Sequence, residues 1–235
     1  MKKFKGAVVL LGLFLIAFAP AQAVLLPPAT TTTINGGVGD LLNAQYVADA
    51  GGPIVADTGV LSFTADTGVY SGTFRQVVYR AAIGNPACPA GGCLDFYYQF
   101  SNNAGSTDPI ELMTTIAFNG FLTDVGTAFP AVLLGGPGTV ATNAISRNVP
   151  GSTVTFHYDT LATNVAPGLT ANTVAILTDA LYYRSGSSSV IDGGVATVST
   201  FAPTLVPEPV SVVLLGTLLL GLSGLFRKKL HFKRS

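Results

Sequence analysis

Apolar and polar positions alternate in short runs along most of this chain, and Gly, Asn, Asp or Ser closes each run. In LDFYYQFSNN (residues 94–103), Phe96, Tyr98 and Phe100 fall on one side, with Tyr97 and Gln99 on the other. In STVTFHYD (152–159), Val154, Phe156 and Tyr158 oppose Thr155 and His157. A period of two is that of a strand turning one face to a core. Residues 60–81 carry two runs of β-branched and aromatic residues around the turn signal ADTG. IELMTTIAF (110–118), TVAILTDALYYR (173–184) and VATVSTF (195–201) extend the set. Only in residues 171–184 does a short helix compete, and no segment keeps a helical period with caps. The pattern predicts an all-β fold: an antiparallel β-sandwich, jelly-roll-like or Ig-like, over residues 38–201. That length can bury a core as one domain. Residues 24–37, with Pro27, Pro28 and four consecutive threonines, read as a flexible lead-in.

The two ends break this pattern. At the start, Lys2, Lys3 and Lys5 precede an uncharged apolar run that stops at Pro20, followed by Ala21-Gln22-Ala23. This three-part form is that of a secretory signal peptide over residues 1–23, cut between Ala23 and Val24. Only 14 residues separate Lys5 from Pro20, short of the roughly 20 that span a bilayer.

At the far end, residues 210–226 form 17 uncharged positions with seven leucines. As a helix they would extend about 26 Å, enough for a thin hydrocarbon core. The basic tail, residues 227–235, holds Arg227, Lys228, Lys229, Lys233 and Arg234. Cationic flanks stay on the cytoplasmic side, so a transmembrane helix here would leave the preceding domain outside, in agreement with the export signal. Residues 202–209 include Pro203, Pro207 and Pro209, and so read as an extended linker. Val206-Pro207-Glu208-Pro209, the apolar span and the basic tail together resemble the PEP-CTERM sorting signal, also labelled the ice-binding protein C-terminal domain. Residues 230–232 (Leu-His-Phe) interrupt the basic run, a small departure from that pattern. The resemblance covers about thirty residues. It implies recognition by an exosortase, a membrane transpeptidase of exopolysaccharide-making Gram-negative bacteria, and cleavage near Pro207-Glu208-Pro209. It further implies the Sec translocon and signal peptidase as earlier partners, an inner-membrane precursor, and a final place at the cell surface or in a biofilm matrix. Several middle stretches, such as VYRAAIG and SVIDGGVATVSTFAP, are similar to ones in the ectodomains of such proteins, a similarity that brings no activity with it.

Charge separates the same way. Between residues 24 and 205 there is no lysine, and four arginines face ten aspartates and Glu111. A net negative exported domain argues against nucleic acid as a partner and is compatible with neutral exopolysaccharide. Cys88 and Cys93 bracket PAGG, and in an oxidising compartment they are expected to form a small disulfide loop.

Candidate chemistry is sparse, and the domain is expected not to be an enzyme. His157 is the one histidine outside the tail, no GxSxG elbow is present, and its place on the polar side of a strand reads as a surface residue. Scattered carboxylates supply no zinc-like spacing. Asp108 with Glu111, or Asp57 with Asp66, could form a glycosidase pair, but each Asp also reads as a turn residue. No cofactor is expected; among ions, calcium suits the loop carboxylates best. INGGVGD (34–40) lacks the helix and lysine of a nucleotide loop. Tyr70, Tyr79, Tyr97, Tyr182 and Tyr183 are the candidates for stacking on sugar, in a chain without tryptophan. A secreted hydrolase acting on polysaccharide, or a sugar- or calcium-binding module, is the alternative to a structural or adhesive domain. Ice binding would need regular Thr-x-Thr arrays, whereas Thr30 to Thr33 are consecutive.

Overall fold

The computed structural model describes residues 24–33, 43–128 and 131–205. They form two antiparallel sheets packed face to face, an all-β sandwich. The elements in chain order are β1 (Val24–Leu25), β2 (Thr30–Thr33), α1 (Asn43–Ala50), β3 (Ile54–Asp57), β4 (Leu61–Thr64), β5 (Ser71–Arg80) and β6 (Leu94–Asn102). They continue with β7 (Leu112–Ile116), β8 (Thr123–Thr127), β9 (Ala144–Arg147), β10 (Thr153–His157), β11 (Val174–Thr178), β12 (Tyr182–Ile191) and β13 (Val195–Thr204). One sheet runs β1-β8-β11-β6-β5-β3, with β4 also paired to β5. The other runs β13-β12-β7-β10-β9-β2. The chain switches between sheets repeatedly, so each sheet mixes distant segments.

The core lies between them. From the first sheet Phe74, Phe96, Tyr98 and Phe100 point inward, and from the second Val154, Phe156 and Val190 meet them. Phe100 packs edge-on against Tyr158 at 5.4 Å, and Tyr98 lies 6.5 Å from Phe156, so rings bridge the two sheets. Pairs of this kind add about 0.5–1.5 kcal/mol each beyond area burial. Close approach is enforced at Gly72, where a Cβ would stand 1.9 Å from the Ser101 carbonyl and 2.5 Å from the Phe63 ring. Arg147 closes one end of the sandwich. Its buried guanidinium donates to the carbonyls of Leu26, Phe118, Phe121 and Gly151 and to Thr123 Oγ1, at 2.6–3.1 Å.

The first sheet carries a second cover on its outer face. Tyr46 of α1 meets Tyr97 at 5.2 Å and Tyr79 at 6.2 Å, and Ala131 and Leu133 complete the cluster. Gln99 fixes this cover, its Oε1 accepting from the amides of Leu133 and Leu134 at 2.9 and 2.7 Å. Tyr97 and Gln99 therefore lie fully buried, as do Phe96 and Tyr98 on the inner side.

Three segments differ from the sequence reading. Within residues 24–37, β1 pairs with β8 and β2 with β9, so the expected flexible lead-in supplies an edge strand to each sheet. Its threonines repeat the β-favouring side chain that such an edge accepts. Residues 202–204 complete β13 opposite β12 and are not yet linker. Residues 43–50, counted within a strand-only domain, form α1. This helix has no acidic first turn or basic last turn, and so lacks the terminal charges that would have marked it. The segment 171–184 is extended, giving β11 and the start of β12. Among the described residues no helix is long and apolar enough to cross a membrane; the span expected at 210–226 lies outside them.

Candidate functional site

Among the described residues nothing covers the outer face of the second sheet, and its strand register sorts polar side chains onto that face. Thr197 of β13 pairs with Ser189 of β12, Ser189 with Thr114 of β7, and Thr114 with Thr155 of β10. Thr155 pairs in turn with Ser146 of β9, and Ser146 with Thr31 of β2. One hydroxyl from each of six strands thus stands in a rank across the sheet, at the usual strand spacing of about 4.8 Å. Neighbouring hydroxyls approach bonding distance at Ser189 and Thr197, 3.0 Å apart.

Beside this rank stands His157, diagonal to Ser146 across β9 and β10. Its Nε2 lies 2.8 Å from Ser146 Oγ, and its Nδ1 lies 3.3 Å from Asp159 Oδ2. Asp159 Oδ1 accepts from Asn143 Nδ2 at 2.9 Å, and Asn143 Oδ1 accepts from Thr163 Oγ1 at 3.1 Å. The Asn143 hydrogen bond, and after it the imidazole, hold the Asp159 carboxyl below its ordinary value. An ionised carboxylate only accepts, so Nδ1 is the donor to Asp159, and in the neutral imidazole Nε2 is then the atom that accepts from Ser146. The backbone fixes the ring's base: the His157 carbonyl accepts from the Asn143 amide at 2.8 Å and from Thr142 Oγ1 at 2.7 Å. The side chains of His157 and Asp159 are 24% and 43% exposed, so a solute can reach them. The sequence placed His157 on the surface. What it lacked was Ser146, Asp159 and Asn143 beside it, because the β9–β10 register that aligns them leaves no local signal.

The other expected residues are placed as follows. Cys88 and Cys93 form the disulfide, with Cα atoms 6.2 Å apart. Asn85 ties this loop to the first sheet: its Oδ1 accepts from the amides of Ala87 and Cys88, and its Nδ2 donates to Asp95 Oδ1 at 2.7 Å. Among the tyrosines, Tyr70, Tyr79 and Tyr97 are buried and Tyr183 is half-buried against Phe201, so only Tyr182 is exposed. They form no stacking platform. Asp57 is held by Arg75 at 2.7 Å, which keeps its carboxyl below the ordinary value, while Asp66 accepts from the Val195 amide at 2.8 Å. No hydrogen bond joins Asp57 to Asp66, or Asp108 to Glu111, among the described residues. Burial, and then the Asp108 charge, raise Asp192. Among the described residues no group of three or more His, Cys, Asp or Glu is arranged to hold a metal ion. Ala21 and Ala23, Asp40, the motif Val206 to Pro209 and the basic residues Arg227, Lys228, Lys229, Lys233 and Arg234 lie outside the described residues.

A buried acidic pair went unforeseen. Asp49 of α1 accepts from Gln45 Nε2, the Ala82 amide and the Tyr97 hydroxyl at 2.7–2.8 Å. Asp95 of β6 is also fully buried. Burial first, and then the hydrogen bond and charge of Asp49, push Asp95 up to about 9. That shift favours the protonated acid, while its Oδ1 accepts from Asn85 Nδ2 and the Thr178 amide, tying the disulfide loop to the first sheet. Asp49, through the Ala82 amide and the Tyr97 hydroxyl, holds α1.

Fold and site together define an acidic, disulfide-pinned β-sandwich with one covered and one open sheet. Compared with known families, with curated proteins and with solved structures, the chain finds no significant match.

Proposed function

We propose that this is an exported surface or matrix protein, sorted through its C-terminal segment, whose β-sandwich has a structural or adhesive role. The observation that carries the reading is the order of segments in the chain: export signal, acidic domain, Val206-Pro207-Glu208-Pro209, apolar run and basic tail. In this reading the Sec translocon passes the chain, signal peptidase cuts before Val24, and residues 210–226 halt in the inner membrane as a helix. An exosortase then cuts near Pro207-Glu208-Pro209 and delivers the domain to a Gram-negative cell surface or biofilm matrix. The disulfide between Cys88 and Cys93 supports an oxidising destination. The repeated alternation of strands between the sheets favours the jelly-roll-like topology over the Ig-like one.

The open sheet supports the adhesive part. A rank of hydroxyls on an acidic domain suits a neutral, hydroxylated polymer such as exopolysaccharide, which meets them as donors and acceptors in turn. The intact mass of the protein recovered from its host tests the sorting. A chain running from Val24 to the neighbourhood of Pro209, with the mass deficit of one disulfide, is expected. A mass extending to Ser235 overturns the sorting.

A further inference from the structure

We propose that Ser146 is a nucleophile, activated by His157 and Asp159, and that it takes acyl groups from esters carried on an extended hydroxylated chain. This goes beyond the structural role above, and its test is independent of the mass measurement that tests the sorting. The three side chains meet in the order and through the atoms that acyl transfer needs: serine Oγ to Nε2, and carboxylate to Nδ1. The carboxylate is anchored at its second oxygen by Asn143, which is itself braced by Thr163. The Nδ1 to Asp159 contact is long, of the kind that tightens when substrate arrives.

The register supplies the remaining part. Thr31 and Thr155 stand on either side of Ser146 on the same face, and neither hydroxyl is committed to another hydrogen bond among the described residues. They are placed to donate to the oxyanion that forms when Ser146 attacks a carbonyl. Among the described residues the hydroxyl rank is part-exposed or exposed along its whole length, so the acyl carrier is a polymer lying along it.

The step balances without any further reagent. The Ser146 proton passes to Nε2 as Oγ bonds the ester carbonyl carbon; the carbon–alkoxy bond breaks and the alkoxide takes that proton from Nε2. Water then attacks the acyl-serine, its proton passing through Nε2 back to Oγ as the carboxylic acid leaves.

The test is labelling of the full chain with a fluorophosphonate, with the modified residue located by peptide mass, beside release of p-nitrophenol from p-nitrophenyl acetate. Ser146 is expected to label faster than Ser199, which is exposed on the same face. His157→Gln should slow labelling and hydrolysis by about 100-fold, the scale of a general base, and Ser146→Ala should abolish both. Labelling of Ser146 no faster than Ser199, or unchanged in His157→Gln, overturns the proposal. The Ser146 and Ser199 contrast is read in the unaltered protein, so it does not depend on a variant folding.

Discussion

The two sheets are built from the same kind of strand yet end in different environments. The first is covered twice, by the sandwich core within and by α1 with residues 131–134 without, and its central strands β6, β8 and β11 are almost wholly buried. The second is covered once, and β10 alternates buried and part-exposed positions along its length. On the covered side the polar groups hold the cover and the disulfide loop in place. Gln99 bonds residues 133 and 134, Asp49 of α1 bonds Tyr97 and the Ala82 amide, and Asn85 of the loop bonds Asp95. The open sheet presents its polar groups to solvent, and the only hydrogen-bonded Ser-His-Asp set found among the described residues is there. Stability and surface chemistry are thus divided between faces that are only a sandwich apart.

Tyr97→Ala tests that division most severely. Removing the ring from under the lid should cost about 3–5 kcal/mol by urea unfolding. If the loss were no greater than that of a surface change, the second cover would be ornamental. The acidic pair comes next. Asp95 titrates at about 9 in the folded protein against 3.8 as an isolated side chain, so the folded state holds a proton that the unfolded state gives up. Its stabilising contribution is complete below pH about 4, fades as pH rises, and is lost by pH about 9. The urea midpoint should fall between pH 5 and pH 9, and Asp95→Asn should flatten that fall. Removing the disulfide with Cys88→Ala and Cys93→Ala should cost about 2 kcal/mol, the value for so small a ring, and should loosen the loop that Asn85 ties to Asp95. Hydrogen exchange at the amide of residue 88, compared between the two proteins, checks it. Smallest of all, Thr155→Ala on the open face should change stability by no more than about 0.5 kcal/mol. Taken with Tyr97→Ala, it gives the contrast its full range.

Much of this fold could be read in the chain, and the failures have a common cause. The alternation in β10 marked its buried side because only one face of the second sheet is covered, so hydropathy and burial agree there. In β6 the same alternation put Tyr97 and Gln99 on a solvent side, and the lid buried them. Nothing local announces a second layer supplied by residues 43–50 and 131–134. Helix α1 escaped notice because its burial rests on Tyr46 and Asp49 while Val47 faces solvent. Two of the candidate tyrosines for stacking on sugar are buried for the same reason, since Tyr79 and Tyr97 belong to the lid cluster. The serine beside His157 was invisible for a different one. Ser146 is eleven residues away, and a shift of β9 by one residue would send its hydroxyl into the core.

The last strand has a mechanical meaning. β13 is an edge strand bound to β12 by ten successive pairs, from Thr204 opposite Tyr182 to Val195 opposite Ile191, and the chain leaves from its Thr204 end. Tension applied along its axis loads those pairs together, as a shear splice, and all must yield at once. Tension applied across it opens them singly from Thr204 onward, as a peel. A tether at this terminus therefore holds the domain firmly against drag in one direction and weakly in the other.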